Sequence, residues 1–578
     1  MRRCFWLCIV LAGLLALAAC QKDGGDDDSG GGGSHIHAGD DAGDDQADDS
    51  GDDDFTGAMP LIPGPGQAGY DADLEAHARL YDREFHVFNA AGMDLNADVE
   101  VPVDAAADRE LIRGFLQDTD GWDFEAYAGK SVFDVVTGWE AVAGAYAGVA
   151  MAADAYRYAV LRDQGYPEDE VAIARRHLSA ALEGLHIAVA ITGVQGVIAR
   201  GYMRSDIPHG GSLPETVPLF DQDGRPLPTV KNNGTSRADN SGGLYPNYIW
   251  IDSCSRDQYI GWAAGFGAAW EVIKDDSTFD ADVKSRLQKD AGDVGRQLMV
   301  VRPSGYDLEI IDADGRTTYH GYMNENNYDR HYIPWLPIKD GMYAAMALGC
   351  VSALAFASED PVLEDYLYRT LIGERRLGDI AASNQVGIDL GEKSNYSGYN
   401  MAFMGFWLAL RYIQDWQAAE GLRASLADNL YDRPGKLRQP AEDGQSFFDF
   451  TYAVGMAGAS VNHPMYIPPD ADVMGRGLQT LRDFPTPPFW EFQVINCDDA
   501  EIASGSCTAV DGTHFDVLGY VGRNEDLITV QPVPMRIRPP SNFYWRSNPY
   551  MPNGGGNGGR LIGGADFRFA YWLGRYVR

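Results

Sequence analysis

From about residue 139 onward, apolar positions run in long blocks at helical spacing, each closed by a short polar or Gly/Pro-containing break. The block 139–162 is rich in Ala and Gly and apolar on nearly every side, as in a helix buried most of the way round. Pro167 then opens a second helix with Glu168, Asp169 and Glu170 in its first turn, where acidic side chains suit the positive end of the dipole. That pattern runs to about residue 198. Further helices are predicted over 257–273, 280–299, 342–357, 361–372, 399–416, 418–430 and 566–576. Two interruptions read as hairpins. Strand formers at 306–311 and 317–322 flank Asp312-Ala313-Asp314-Gly315, and Phe220 to Gly224 has the same turn chemistry. Neither is a calcium loop, because position 5 is Arg225 or Arg316 and position 12 is Asn232 or Met323 instead of Glu. Ten to twelve helices in consecutive pairs, joined by polar-aromatic loops, predict a mainly α fold. The arrangement expected is an (α/α) toroid of helix hairpins with small β-hairpin insertions, formed by residues 58–578 as one domain.

The first 57 residues are patterned differently. Met1-Arg2-Arg3 precedes an apolar run to Leu17, then Ala18-Ala19-Cys20, and then an Asp/Gly/Ser tract to about Gly57. A basic start, a short apolar core and small residues at its end define an export signal, and the run is too short to span a bilayer comfortably. Leu17-Ala18-Ala19-Cys20 resembles the lipobox of bacterial lipoproteins. The resemblance implies cleavage before Cys20, a diacylglycerol on its thiol, and attachment to a lipid bilayer. Gln21, where Asp would signal inner-membrane retention, points to the outer membrane. Residues 20–57 cannot bury enough apolar surface to fold. As a flexible tether they would span roughly 33 Å. No later segment offers a continuous apolar span, so the body is expected to be soluble.

Charge excludes some partners. The chain of 578 residues carries a net charge of −38, and removing the signal and the tether still leaves 71 acidic and 43 basic residues, or −28. Such a surface disfavours nucleic acid, which is held by Lys and Arg on phosphates. Of seven Cys, Cys497 and Cys507 bracket a short loop and are expected to pair in an oxidising compartment. Cys254 and Cys350 sit in apolar helical runs as buried thiols. No His/Cys group has zinc spacing, and no metal or cofactor is expected. The glycine run 553–559 reads as a loop and not as a phosphate cradle.

Several segments resemble six-hairpin glycosidase-like bacterial proteins. They are Ile191-Thr192-Gly193-Val194-Gln195-Gly196 with Ala199-Arg200-Gly201-Tyr202, then Asp252-Ser253-Cys254-Ser255-Arg256-Asp257-Gln258, then Asp312 to Tyr322, and Trp545 to Tyr550 with Ala570 to Tyr576. The resemblance implies a toroid whose loops converge on a cleft, and a glycoside hydrolase-like or polysaccharide lyase-like activity. By analogy alone it does not fix the reaction.

Candidate chemistry clusters just before helix starts. The stretch 247–259 contains Trp250, Asp252, Arg256 and Asp257, although Asp252 or Ser255 also reads as a helix cap. The stretch 324–332 is the densest run of titratable groups: Glu325, Asn326, Asp329, Arg330, His331 and Tyr332. A third segment carries Asn395, Tyr396, Tyr399 and Asn400. Sugars need planar donors and acceptors for hydroxyls and aromatic faces for ring C–H surfaces, and these segments supply both. Hydrolysis needs two carboxylates, for which Asp252, Asp257, Glu325 and Asp329 are the candidates, with Glu140 outside the main group. Polysaccharide lyases of this fold use Asn, His, Arg and Tyr for elimination, and Asn326, Arg330, His331 and Tyr332 resemble that set in type. Arg200 and Trp250 complete the binding set. The remaining alternative is a non-catalytic lipoprotein that binds a glycan or an envelope protein.

Overall fold

The computed structural model describes residues 60–326, 339–383, 391–457, 470–493, 495, 497–539, 548–552 and 556–577. All described residues belong to one compact unit within Gly57–Arg578. The signal, the tether and Cys20 therefore lie outside the described residues.

The protein is mainly helical. Long helices alternate between an inner and an outer position. The inner helices are α3 (Gly144–Asp163), α5 (Arg256–Ile273), α7 (Gly341–Ser358), α9 (Tyr396–Tyr412), α11 (Ser446–Ala457) and α13 (Ala565–Tyr576). Each packs on the next, and α13 packs back on α3, so the six close a ring. Each also carries an outer helix. The outer partners are α1 (Ala72–Glu84) on α13, α4 (Glu168–Ala190) on α3, α6 (Ala281–Leu298) on α5 and α7, α8 (Leu377–Ser383) on α7, α10 (Trp416–Ser425) on α9, and α12 (Ala471–Arg482) on α11. A further helix, α2 (Ala106–Asp118), lies beside α1.

Small residues set the spacing of the ring. A Cβ on Gly148 of α3 would overlap the Gly261 carbonyl of α5, and one on Gly349 of α7 would lie 2.6 Å from the Gly405 carbonyl oxygen of α9. Helix α7 is apolar all round and, by length and composition, could cross a membrane; it is buried in the ring. That corrects the expectation that no later segment is apolar enough, and the reason is enclosure on all sides.

Connections within the ring are unequal. Those leaving an inner helix for its outer partner are short at 164–167, 274–280 and 413–415. Those entering an inner helix are long: 85–143, 191–255, 299–340 and 483–564. The long connections carry the sheets. β1 (Val99–Glu100) lies between β2 (Gly138–Trp139) and β12 (Arg560–Leu561). β3 (Val142–Ala143), β4 (Gly201–Arg204), β6 (Tyr248–Ile251) and β5 (Ser236–Ala238) form a second antiparallel sheet in that order. β7 (Glu309–Ile311) pairs with β8 (Thr317–Tyr322), as the Asp/Gly turn predicted. Phe220 makes only an isolated bridge to Pro226, because Asp221 closes a tight side-chain turn onto the Asp223 and Arg225 N–H groups.

A satellite of residues 495–537 carries β9 (Ser506–Thr508), β10 (His514–Gly519) and β11 (Ile528–Thr529). It has its own apolar core around Phe515, Val517, Leu527 and Val533. Cys497 and Cys507 are bonded, with Cα atoms 5.4 Å apart. Cys254 and Cys350 are buried thiols.

Candidate functional site

The entries to the inner helices bond to one another around the ring. β3, which runs into α3, joins β4 and β6 ahead of α5. Arg256 at the start of α5 donates to the Tyr322 carbonyl (3.4 Å) and lies 4.8 Å over the Tyr343 ring at the start of α7. Tyr396, entering α9, donates to Asp443 ahead of α11, and Tyr550 ahead of α13 donates to the same carboxyl at 2.8 Å. β12 ahead of α13 pairs with β1, and β1 with β2 ahead of α3. The helix N-termini thus gather at one end, which favours negative charge there.

Strand alternation builds a groove at this end. In the β2–β1–β12 sheet, Val99 stands opposite Trp139 and Leu561, and all three are buried. Glu100 stands opposite Arg560, so period two puts both on the other face. Glu140 follows β2, its N–H bonded to the Asp98 carbonyl, and Glu491 bonds through its N–H to the Arg560 carbonyl. Both carboxylates reach the Arg560 guanidinium: Glu140 at Nη2, and Glu491 at Nε, 3.5 Å away. Asp98 lies 3.9 Å from Nη1. Burial, with the nearby Asp98 charge, pushes the Glu491 carboxyl above its ordinary value, against the pull of Arg560 and of the Gly558 and Asn557 N–H groups. Gly556, at φ +62°, leaves room that a Cβ would take from the Glu491 carboxylate. Arg109 holds the same loop by a bond to the Gly558 carbonyl (2.8 Å) while stacking 3.7 Å over Trp490.

Two cavities meet here. One of about 340 Å³ is lined by Glu100, Trp139, Glu140, Arg200, Met203 and His209. The other, of about 770 Å³, is lined by Glu100, Asp104, Thr137, Glu491, Asn557 and Arg560. Glu100 belongs to the wall of both.

Of the residues singled out in the sequence, Glu140, named there outside the main group, and Arg200 reach this groove. The Arg200 guanidinium donates to the Ser255 hydroxyl (2.6 Å), which in turn donates to Asp257 in the first turn of α5. Asp252 does not reach it. It is buried, accepts from the Thr235 N–H (2.8 Å), and pairs with Arg237 (2.6 Å) and Lys231 (3.3 Å). Lys231 also pairs with Asp312, which burial holds above the usual carboxylate range. Glu325 is likewise buried and held by Arg375, which bridges it to Asp307; Asn326 donates to it at 2.9 Å. Both are engaged carboxylates, not open ones. Trp250 is a core residue and no stacking platform, since its ring is enclosed and its indole N–H bonds the Ala238 carbonyl (2.9 Å). Asp329, Arg330, His331 and Tyr332 lie outside the described residues.

The third segment sits between α9 and α11. Asn395 caps α9 through the Ser397 N–H, and Tyr399 accepts from Arg433. Asn400 is buried with its carbonyl oxygen unpartnered among the described residues, as are both amide atoms of Gln445. The sequence reading passed over the neighbouring carboxyls. Burial pushes Asp443 up to about 6 and Asp449 up to about 7, and Tyr431 donates to Asp449 at 2.5 Å. The available signal was a polar run, 439–446, placed directly ahead of an apolar helix.

No protein-family model and no curated protein matches the chain. Among solved structures it is similar to a Bacteroides ovatus GH9 protein at 9% sequence identity and a TM-score of 0.34, over 88% of this chain and 83% of that one. At that level the likeness carries no argument for the reaction.

Proposed function

We propose that the chain is a lipid-anchored envelope lipoprotein whose (α/α) toroid hydrolyses a glycan in the groove at the entry end of its inner helices. The observation that carries this reading is the pair Glu140 and Glu491 on one guanidinium, Glu140 lining the smaller cavity and Glu491 the larger, with Glu100 in the wall of both. Glycoside hydrolysis needs one carboxyl that keeps its proton and one that stays ionised. Glu491, raised by burial, is assigned as the acid that protonates the leaving oxygen. Glu140, paired with Arg560, is assigned as the carboxylate that takes a proton from water as its oxygen bonds the anomeric carbon. The C–O bond to the leaving sugar breaks, and its oxygen leaves with the Glu491 proton. Arg560 positions both groups. Arg200, steadied through Ser255 and Asp257, is assigned to substrate hydroxyls. In this reading Cys20 carries the lipid, and the Asp-rich tether sets the body away from an outer-membrane surface. The test is release of reducing ends from a polysaccharide panel. Unsaturated, ultraviolet-absorbing products would show elimination instead, and retention without turnover would show a binder.

A further inference from the structure

We infer that the groove takes a glycan bearing protonated amines, an amino-sugar polymer; this rests on the groove being the glycan site. Glu100 carries the argument. It stands in register with Arg560, yet the guanidinium nitrogens are occupied by Glu140, Glu491 and Asp98. Its own carboxylate has no ion pair or side-chain hydrogen bond among the described residues, although it is half-buried at the junction of the two cavities. Gly210, at φ +66°, makes that position possible, because a Cβ there would collide with the carboxylate. A partly buried carboxylate with no side-chain partner, facing an open cavity, is free to meet a cationic group of a ligand. No cationic side chain of the walls pairs with Glu100 among the described residues. Arg200, in the smaller cavity, is bonded to the Ser255 hydroxyl and the Ser253 carbonyl, and Asp104 adds another negative charge to the larger cavity. A uronate polymer would meet repulsion and a neutral sugar would leave Glu100 unanswered. An ammonium group offers three donors and the missing charge.

The test is calorimetric binding to the full-length Glu491→Gln chain, with tetramers of glucosamine, N-acetylglucosamine and glucose as probes. The glucosamine tetramer should bind at least tenfold more tightly than the other two, with affinity falling as salt rises. Glu100→Gln in the same background, with its melting temperature unchanged, should remove that preference. Equal affinities, an unaffected Glu100→Gln chain, or equally tight binding of tetralysine would overturn the inference. A wild-type chain that cleaves neutral glycans but ignores glucosamine polymers sinks this inference alone. Amine-selective binding with no polymer cleaved sinks the hydrolase reading and leaves this one standing.

Discussion

Glu140 and Glu491, 351 positions apart, meet on two nitrogens of the same Arg560 guanidinium. Neither approach is local. β1 pairs with β12 and with β2, and the two backbones carrying the carboxylates bond to those strands or beside them. Arg560 lowers the Glu491 carboxyl while burial and Asp98 raise it. Removing the guanidinium in Arg560→Gln therefore drives Glu491 further up. The alkaline limb of the pH–rate profile should move to higher pH as activity falls, because the acid keeps its proton longer. A profile that keeps its shape would remove Glu491 from the acid role.

The ring makes its own prediction. Gly148→Ala places a methyl against the Gly261 carbonyl, and backbone cannot yield as a side-chain tip does. The substitution should cost about 1–3 kcal/mol in urea unfolding. Gly129→Ala, in a position open to solvent but at φ +65°, is the control for backbone strain alone. If Gly148→Ala cost no more than this control, the close approach of α3 and α5 would be wrong.

Buried carboxyls give stability a pH dependence. Asp443, Asp449 and Asp566 are raised by burial to about 6, 7 and 7. A raised folded value means that the native state holds its proton where the unfolded chain has released it. Stability is then full below the unfolded value near 4 and is lost as pH rises through 6–7. The carboxyl contribution should fall between pH 5 and pH 8, and Asp449→Asn should remove part of that fall. It opposes His77, His86 and His177, whose values burial lowers and which raise stability over the same window. Carboxyls held low, such as Asp276 with Tyr158, Thr278 and Arg162, act only in more acid solution. A difference in melting temperature between wild type and Asp449→Asn that stays constant from pH 5 to 8 contradicts this.

The satellite should loosen independently of the ring. Its core is separate, and the Cys497–Cys507 bond closes a ten-residue separation. Loop-closure entropy for such a loop is worth about 2–3 kcal/mol. In Cys497→Ser/Cys507→Ser, hydrogen exchange should quicken over 506–529 while α3, α5 and α7 stay protected. Equal loss in both regions would join the satellite to the main cooperative unit.

Much of the helical pattern was legible because inner helices are enclosed on all sides and show as unbroken apolar blocks. Predicted 280–299 and 566–576 differ from Ala281–Leu298 and Ala565–Tyr576 by a residue at most. The outer helix α1 escaped because its Glu, Asp, His and Arg face partners and solvent, and α11 because it is short and follows a polar run. The block 361–372 became an α-turn, Pro361–Asp365, continued by a π-helix, Tyr366–Glu374, a register that spacing alone does not reveal. The groove was hardest to see. Trp490 and Glu491 sit in a Pro-rich loop, and the Asn557 and Gly558 N–H groups of the glycine-rich loop hold the Glu491 carboxylate. Only long-range strand pairing brings Glu100, Glu140 and Arg560 together. Carboxylates that looked catalytic in sequence, Asp252 and Glu325, owe their density of polar neighbours to the ion pairs that bury them.

The address is tested by Cys20→Ser. Wild-type chain should fractionate with membranes and the variant with soluble protein. Equal membrane retention of the two would refute the lipid anchor.

The most direct measurement is reducing-end release by the full-length chain, wild-type against Glu491→Gln and Glu140→Gln, on polysaccharides that include glucosamine, N-acetylglucosamine and glucose polymers. The wild type should cleave at least one, and each variant should lose about 10²- to 10⁴-fold with its melting temperature retained. Cleavage that survives both substitutions, or no cleavage of any polymer by the wild type, would contradict the assignment of this groove as a hydrolytic site.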